Sequence, residues 1–298
     1  MRCSPTSSAA ASPALTVPDL SIAAAIEAGR LELTGRSSTP ALDARVLAGS
    51  ALGLDASALI AYGENVVDAT RLRRLASMVA RRKAGEPVAY IIGVKGFCGL
   101  RLRVDRRVLI PRPETEELVA RVIDDYRGKR ARILDLGTGC GAIACALADA
   151  LDDVRIVATD IDRDALDVAA ENIDAFALSE RIAIVQSDLF EAVDENARFD
   201  AVVANLPYVG EADDELLEAG VRDFEPPHAL FAGANGLDVY RRMLPSASPH
   251  LAEDGRIYME CGPRNAIDLA ALAKRAFPDK NVELVNDLGG RERMVVVA

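Results

Sequence analysis

The chain has 298 residues, which is the length of two domains at about 150 residues each. Its residues are 50% hydrophobic, enough to bury a sizeable core, and this excludes a wholly disordered protein. With 46 acidic residues against 35 basic ones, the net charge of -11 argues against a protein that binds nucleic acid mainly through its phosphates. The composition favours a soluble protein that acts on a small molecule or on another protein.

Cysteine and histidine show no metal or disulfide pattern. The five cysteines include no Cys-x-x-Cys pair, which favours a reducing compartment and leaves structural zinc as an alternative. Only two histidines are present, His228 and His250, so most schemes with a Ser-His-Asp triad lack their parts. No apolar run reaches about 18 residues, and we expect no membrane-spanning helix. We therefore expect a cytoplasmic protein.

The first 18 residues differ from the rest of the chain. They consist largely of Ser, Ala and Pro, with one Arg and no acidic residue. This composition predicts a disordered tail over residues 1–18. An organelle transit peptide has a similar composition and is the alternative.

Residues 19–86 are predicted to form an N-terminal helical domain. Leu72, Leu75 and Val79 follow the spacing of one helical face. A second helix is predicted over Asp43–Leu54. A bundle of this size is marginally stable alone, so we expect it to accompany a larger domain.

Residues 87–113 are predicted to form a β-hairpin linker between two domains. Three short apolar or alternating runs, separated by glycines, occur at Val88–Ile92, Leu100–Val104 and Val108–Ile110. Pro111-Arg112-Pro113 ends this region, and a helix is predicted to begin near Glu114.

Residues 114–298 are predicted to form an α/β domain with a mostly parallel, doubly wound sheet. Strands alternate with helices, and such alternation is typical of parallel sheets. The predicted helices between the first strands are Ala142–Leu151 and Asp164–Phe176. The predicted strands are Ile133–Leu134, Val154–Ala158, Ile182–Val185, Ala201–Ala204, Gly255–Glu260, Val282–Val285 and Met294–Val297. Ligands of these sheets bind beyond the carboxyl ends of the strands.

A glycine-rich loop follows the first strand of this domain. Its glycines are spaced Gly-x-Gly-x-Gly, which differs from the dinucleotide pattern Gly-x-Gly-x-x-Gly and from a phosphate-binding P-loop. Glycines allow a tight turn and a close approach of a ligand to the backbone, although a plain turn between strand and helix is the alternative. The residues predicted to bind a cofactor are Asp135, Gly137, Thr138, Gly139, Cys140, Gly141, Asp160, Asp188, Leu189 and Asn205.

Two carboxylates in this set have specific candidate roles. Asp160 ends the next strand, where a carboxylate can accept both hydroxyl groups of a ribose. A helix N-cap is the alternative for Asp160. Asp188 follows the third strand and could accept a hydrogen bond from an adenine amino group, or serve in a turn or cap.

The segment Asn205-Leu206-Pro207-Tyr208 follows the fourth strand. It resembles the Asn-Pro-Pro-Tyr motif of S-adenosylmethionine-dependent methyltransferases that act on planar amide or amine nitrogens. Further segments together resemble one family, the peptide chain release factor N(5)-glutamine methyltransferases, over residues 19–298. These segments are Gly85-Glu86-Pro87-Val88-Ala89-Tyr90, Val108-Leu109-Ile110-Pro111-Arg112-Pro113-Glu114-Thr115-Glu116, Phe224-Glu225-Pro226, Gly236-Leu237-Asp238 and Asp287-Leu288-Gly289-Gly290-Arg291.

The resemblance implies a Rossmann-like sheet of seven strands, the last one antiparallel. It implies methyl transfer from S-adenosyl-L-methionine, with S-adenosyl-L-homocysteine as product, to the glutamine of the Gly-Gly-Gln motif of class I release factors. The helical domain would help to recognise that protein partner. We expect a monomer with no direct nucleic-acid partner.

The predicted catalytic residues are Asn205, Leu206, Pro207 and Tyr208. An amide nitrogen is a poor nucleophile, so its NH2 group must be held with the lone pair facing the sulfonium methyl group. The side-chain carbonyl of Asn205 and the backbone carbonyl of Leu206 can accept its two hydrogens and stabilise the developing positive charge. The ring of Tyr208 can pack on the planar amide. No general base is required before methyl transfer.

The sequence departs from the family pattern at Leu206, where proline is expected. Leucine keeps the backbone carbonyl but loses the ring that fixes φ, and Pro207 compensates in part by favouring extended backbone before it. The Leu-Pro version also resembles the motif of rRNA adenine dimethyltransferases. Three alternatives stay open: a glutamine methyltransferase acting on a ribosomal protein, an adenine amine methyltransferase acting on DNA or RNA, and a catalytically silent cofactor-binding protein.

Overall fold

Residues 20–298 are described by the computed structural model and divide into two units, residues 20–91 and Ile92–Ala298. The predicted tail over residues 1–18, which includes Cys3, lies outside the described residues. Among the described residues, the helices are too short or too polar to cross a membrane.

The first unit is helical, as the sequence predicts. Its helices are α1 Ile22–Leu33, α2 Pro40–Leu52, α3 Ala56–Ala61 and α4 Ala69–Lys83. Side chains of Asp55 and Asp68 accept backbone N–H groups at the starts of α3 and α4, which satisfies donors that a helix leaves free. Leu33, Leu47 and Leu75 are buried and supply part of the core.

The predicted strands at Val88–Ile92 and Val108–Ile110 are wrong. The first is a short helix, α5 Val88–Ile92, because Pro87 starts a helical turn and its carbonyl accepts the N–H groups of the residues three and four positions later. The second forms no strand, since the N–H of Ile110 donates to the carboxylate of Glu225 at 3.1 Å instead of to a neighbouring strand. The small sheet consists of β1 Val94–Phe97 and β2 Leu100–Arg103.

The two strands of this hairpin are joined by Cys98 and Gly99. Both have positive φ, +47° and +80°. A tight two-residue hairpin turn requires this backbone conformation, and glycine adopts it readily. The N–H of Cys98 donates to the carboxylate of Glu116 at 3.2 Å, so the turn is tied to the helix that follows the linker.

The second unit contains a seven-stranded sheet. Its strands are β3 Ala131–Leu136, β4 Val154–Asp160, β5 Ile182–Gln186, β6 Phe199–Ala204, β7 Leu251–Glu260, β8 Val282–Asn286 and β9 Glu292–Val297. Their order is β5-β4-β3-β6-β7-β9-β8, and β9 pairs antiparallel with both of its neighbours. The predicted α/β class, the seven strands and the antiparallel last strand are confirmed.

Helices cover both faces of this sheet. They are α6 Pro113–Tyr126, α7 Ala142–Ala150, α8 Arg163–Ala175, α10 Asp238–Ala247 and α11 Ala266–Ala276, while the short helix α9 Ala219–Phe224 has no buried residue and belongs to the loop after β6. Alternate strand residues such as Leu134, Val202 and Ile257 share one apolar cluster with α10 and α11. Tyr258 points to the opposite face, where its hydroxyl donates to Asp125 of α6.

The parallel register brings the sequence motifs to one edge. Leu136 is paired with both Thr159 and Ala204. The residues that follow them, Gly137, Asp160 and Asn205, therefore start side by side at the carboxyl ends of β3, β4 and β6.

Candidate active site

A cavity of about 240 Å³ opens at this edge of the sheet. The predicted site residues that line it are Gly137, Gly139, Asp160, Asp188, Leu189, Asn205, Leu206 and Pro207. The others, Asp135, Thr138, Cys140, Gly141 and Tyr208, lie outside its lining. The structure thus places residues from the carboxyl ends of four strands, β3, β4, β5 and β6, around one space.

The glycine-rich loop has a backbone that other residues adopt with strain. Gly137, Gly139 and Gly141 have φ values of +70°, +55° and +79°. A Cβ atom on Gly137 would lie 2.9 Å from Cδ2 of Leu206, so any other residue here would also force that side chain to move. At Gly139 a Cβ would meet nothing within 4 Å, which leaves the cavity side of the loop open to a ligand.

Asp160 joins the glycine-rich loop to the end of β4. Its Oδ2 accepts the N–H of Gly139 and its Oδ1 accepts the N–H of Asp162, both at 2.9 Å. The N-cap of α8 is Asp162, so the alternative role of Asp160 as an N-cap is wrong. Burial raises the pKa of Asp160. Each of its oxygens keeps a further lone pair with which to accept a ligand hydroxyl.

Asp135 is fully buried beneath the loop. Its Oδ2 accepts the Thr138 hydroxyl at 2.6 Å and the N–H of Ala144 at 3.2 Å, which ties the loop to the first turn of α7. Its Oδ1 has no hydrogen-bond partner, and burial raises its pKa to about 7. Cys140 is also buried, and burial raises its pKa to about 12, so its thiol stays protonated near neutral pH.

Changing Asp135 to asparagine should alter the pH dependence of stability. The folded protein holds this proton up to about pH 7, whereas an ordinary aspartate has a pKa of 3.8, so wild-type stability falls as the pH rises between these values. Each unit of pKa shift is worth about 1.36 kcal/mol. We expect D135N to gain stability relative to wild type between about pH 4 and about pH 8, measured by urea unfolding; parallel curves would contradict the shift.

Asp188 and Leu189 form the third side of the cavity. Asp188 accepts a hydrogen bond from Nη2 of Arg242 at 2.7 Å. Leu189 has a φ of +52°, an unusual backbone for leucine, and Ser187 accepts and donates hydrogen bonds around this turn. The turn is thus held in one conformation, with Leu189 facing the cavity.

The segment after β6 is held by residues from three other elements. The Asn205 Nδ2 donates to Oγ1 of Thr115 at 3.0 Å, and the Tyr208 hydroxyl donates to Oε1 of Glu260 at 3.1 Å. The Tyr208 carbonyl accepts Nδ2 of Asn265 at 2.8 Å. Thr115 and Glu260 were not among the predicted site residues. The only sequence signal for Glu260 is an acidic residue at the carboxyl end of an apolar strand.

Glu225 connects two motifs that are far apart in the chain. It is 3% exposed, and its carboxylate accepts the N–H of Ile110 at 3.1 Å and Nη2 of Arg112 at 2.6 Å. Burial raises the pKa of Glu225, while Arg112 opposes this effect. The hydrogen bonds of Glu225 therefore connect the segment before α6 to the loop after β6 beside the cavity.

Comparisons with known proteins identify the relatives of this chain. A model of the PrmC N-terminal domain matches residues 24–93, and a model of the methyltransferase small domain matches residues 114–222. A release factor glutamine methyltransferase of Rhodopirellula baltica is 36% identical over 87% of this chain and 89% of its own. The chain belongs to the release factor glutamine methyltransferase family. The resemblance found in the sequence is confirmed, and with it the prediction of a methyltransferase.

Two further comparisons extend this result. A family member from Streptococcus pneumoniae is 41% identical over 72% of this chain and 75% of its own. A crystal structure of a methyltransferase from Pyrococcus furiosus matches 74% of this chain and 96% of its own with a TM-score of 0.50. At 16% identity this likeness shows the fold alone.

Leu206 differs from the proline of the family pattern, and the structure gives its N–H a partner. The N–H of Leu206 donates to the hydroxyl of Tyr240 at 3.3 Å, and that hydroxyl donates to the carbonyl of Glu260 at 2.6 Å. The Leu206 side chain is 5% exposed. Leucine therefore contributes a hydrogen bond that proline cannot make.

Replacing Leu206 with proline should affect stability more than catalysis. The lost hydrogen bond costs about 1 kcal/mol, to which lost side-chain packing adds, whereas the backbone carbonyl stays. We expect urea unfolding to show this loss and kcat to remain close to wild type. The control is a double-mutant cycle with Tyr240→Phe, which removes the same contact. Additive effects would show that the contact contributes nothing.

Proposed function

We propose that this protein transfers a methyl group from S-adenosylmethionine to the side-chain amide nitrogen of the glutamine in the Gly-Gly-Gln motif of class I release factors. The relatives named above support the reaction. The observation that carries its assignment to this site is the position of Asn205. It lines the cavity next to Leu206, and its amide nitrogen is occupied by Thr115, which leaves its carbonyl oxygen as an acceptor.

The cavity fits the cofactor by the chemistry of its lining. Asp160 would accept the ribose hydroxyl groups, Asp188 would accept from the adenine amino group, and Leu189 would pack against the base. The open face of Gly139 would let the cofactor approach the backbone. The bound cofactor supplies an electrophilic methyl group on a sulfonium sulfur. S-adenosylhomocysteine is then the product.

The substrate amide is proposed to lie against the Asn205–Tyr208 segment. The carbonyl oxygens of Asn205 and Leu206 accept its two N–H hydrogens and orient the nitrogen lone pair. They also stabilise the positive charge that develops on nitrogen. Pro207 keeps Leu206 extended, and the Tyr208 ring packs on the amide plane. The proton leaves to solvent after transfer.

The helical region, residues 19–86, is proposed to recognise the protein partner, with residues 87–113 as the linker and residues 114–298 as the methyltransferase domain. We propose a cytoplasmic monomer that needs no nucleic acid. Light scattering would test the oligomeric state. Methylation that persists after nuclease treatment would support the absence of a nucleic-acid partner.

The test of the proposed function uses a purified class I release factor and labelled S-adenosylmethionine. We expect label on the Gly-Gly-Gln glutamine, located by mass spectrometry, and none on a release factor in which that glutamine is changed to glutamate. A ribosomal protein with a methylatable glutamine serves as the competing substrate. Equal labelling of both release factors would overturn the assigned acceptor, and labelling of the ribosomal protein alone would favour the sister activity.

A further inference from the structure

Glu260 places a carboxyl group behind the proposed catalytic segment. It ends β7 and is 2% exposed. The Tyr208 hydroxyl donates to its Oε1 at 3.1 Å, and the hydroxyl of Thr115 lowers the pKa of the same carboxyl group. Its Oε2 has no hydrogen-bond partner. Two hydroxyl groups thus act on a buried carboxyl group that the proposed reaction does not use directly.

The direction of the hydrogen bonds that run from Glu260 through Thr115 determines how the side-chain amide of Asn205 is oriented. A threonine hydroxyl has one hydrogen to donate. An ionised Glu260 can only accept, so the Thr115 hydrogen is directed to it, and Oγ1 of Thr115 is left to accept. It accepts from Nδ2 of Asn205 at 3.0 Å. With the amide turned over, the carbonyl oxygen of Asn205 would face the lone pairs of Thr115, which is unfavourable.

We propose that Glu260 and Thr115 are positioning residues that fix the side-chain amide of Asn205 with its carbonyl oxygen towards the substrate nitrogen. This inference rests on the proposed function. Neither residue touches the substrate, and each acts through Asn205. Glu260 also holds the Tyr208 ring through its hydroxyl, so one carboxylate orients both side chains of the segment.

The protonation of Glu260 should then control the rate. Burial raises its pKa to about 7. Titratable or charged groups from each element packed against it are Tyr208 and Tyr240, Arg293, Glu114 and Cys261. A protonated Glu260 can donate to Thr115, which removes the preference for one amide orientation. The rate constant should therefore rise with pH, with a midpoint near 7, and level off once Glu260 is ionised.

Four variants test this assignment, each read by kcat, KM and pH profile. Thr115→Val removes the hydroxyl at nearly constant shape, and we expect kcat to fall about tenfold to a hundredfold, below the loss from removing a direct contact. Thr115→Ser should restore the rate. Glu260→Gln should lower kcat and abolish the rise of the rate with pH near pH 7. Asp125→Asn is the matched control, since it neutralises a carboxylate that accepts a tyrosine hydroxyl at 2.7 Å outside the cavity lining, and it should keep the step in the pH profile.

A second readout does not depend on turnover. The side-chain NH2 signals of Asn205, assigned by their loss in Asn205→Asp, should shift with a midpoint near pH 7 in wild type and stay constant in Glu260→Gln. Melting temperatures identify any variant that fails to fold. If Glu260→Gln fails to fold, the comparison of kcat between Thr115→Val and Thr115→Ser tests the positioning role.

The outcomes separate this inference from the proposed function. Wild type that fails to methylate the release factor glutamine overturns the proposed function. Active wild type, with normal kcat in Thr115→Val and an unchanged pH step in Glu260→Gln, overturns only the positioning role. An Asn205 NH2 signal that does not respond to pH would do the same.

Discussion

Replacing Asn205 with alanine is expected to lower kcat for release factor methylation by about 10²–10³-fold, the effect of removing one preorganised contact to developing charge. The substrate amide would keep only the Leu206 carbonyl as acceptor and could rotate away from the line of transfer. Affinity for S-adenosylmethionine should stay near wild type, because the proposed ribose and adenine contacts come from Asp160 and Asp188. Single-turnover kinetics and calorimetry measure the two effects separately.

The matched control for this change is Asn196→Ala. Asn196 lies on an exposed turn and does not line the cavity, so this variant should keep the wild-type rate. A near-normal kcat in Asn205→Ala would remove Asn205 from the reaction. A proportional loss of cofactor affinity would instead assign it to cofactor binding, which the sequence also predicts for this residue.

Local patterns were sufficient to predict the sheet and the loops around the cavity. Runs such as Val154–Ala158 combine apolar residues with strand length, and the structure places that strand at Val154–Asp160. Because parallel strands end at the same edge, their order along the chain already predicts that Asp160 and Asn205 converge. The cavity that both residues line is seen only in the structure.

The contacts that hold the site together have no local signal. Glu225 binds Arg112 across 113 positions, and Tyr208 binds Glu260 across 52. Glu225 stands in a segment that carries the family resemblance, but no local pattern indicates which residues either acid contacts. Val88–Ile92 shows a different limit of prediction from sequence, since five apolar residues fit a strand or a helical turn equally well. In the structure the hydrogen bonds to the Pro87 carbonyl make this segment a helical turn.

Replacing Asp160 with alanine is expected to weaken the binding of S-adenosylhomocysteine by about tenfold to a hundredfold, since a hydrogen bond to a charged group is worth about 1.5–3 kcal/mol. Two effects contribute: the ribose hydroxyls lose their acceptor, and the N–H of Gly139, now bonded at 2.9 Å, loses its partner. Isothermal titration calorimetry measures the sum. Unchanged affinity would show that Asp160 does not face the cofactor.

A ligand cycle separates these two effects. 5′-Methylthioadenosine and its 2′-deoxy analogue differ by one ribose hydroxyl, so wild type should prefer the first and Asp160→Ala should bind both with equal affinity. Asp160→Asn keeps one acceptor oxygen and should give an intermediate difference. If the preference survives in Asp160→Ala, the carboxylate acts only through the Gly139 loop, and the ribose must be recognised by another group at this edge of the sheet.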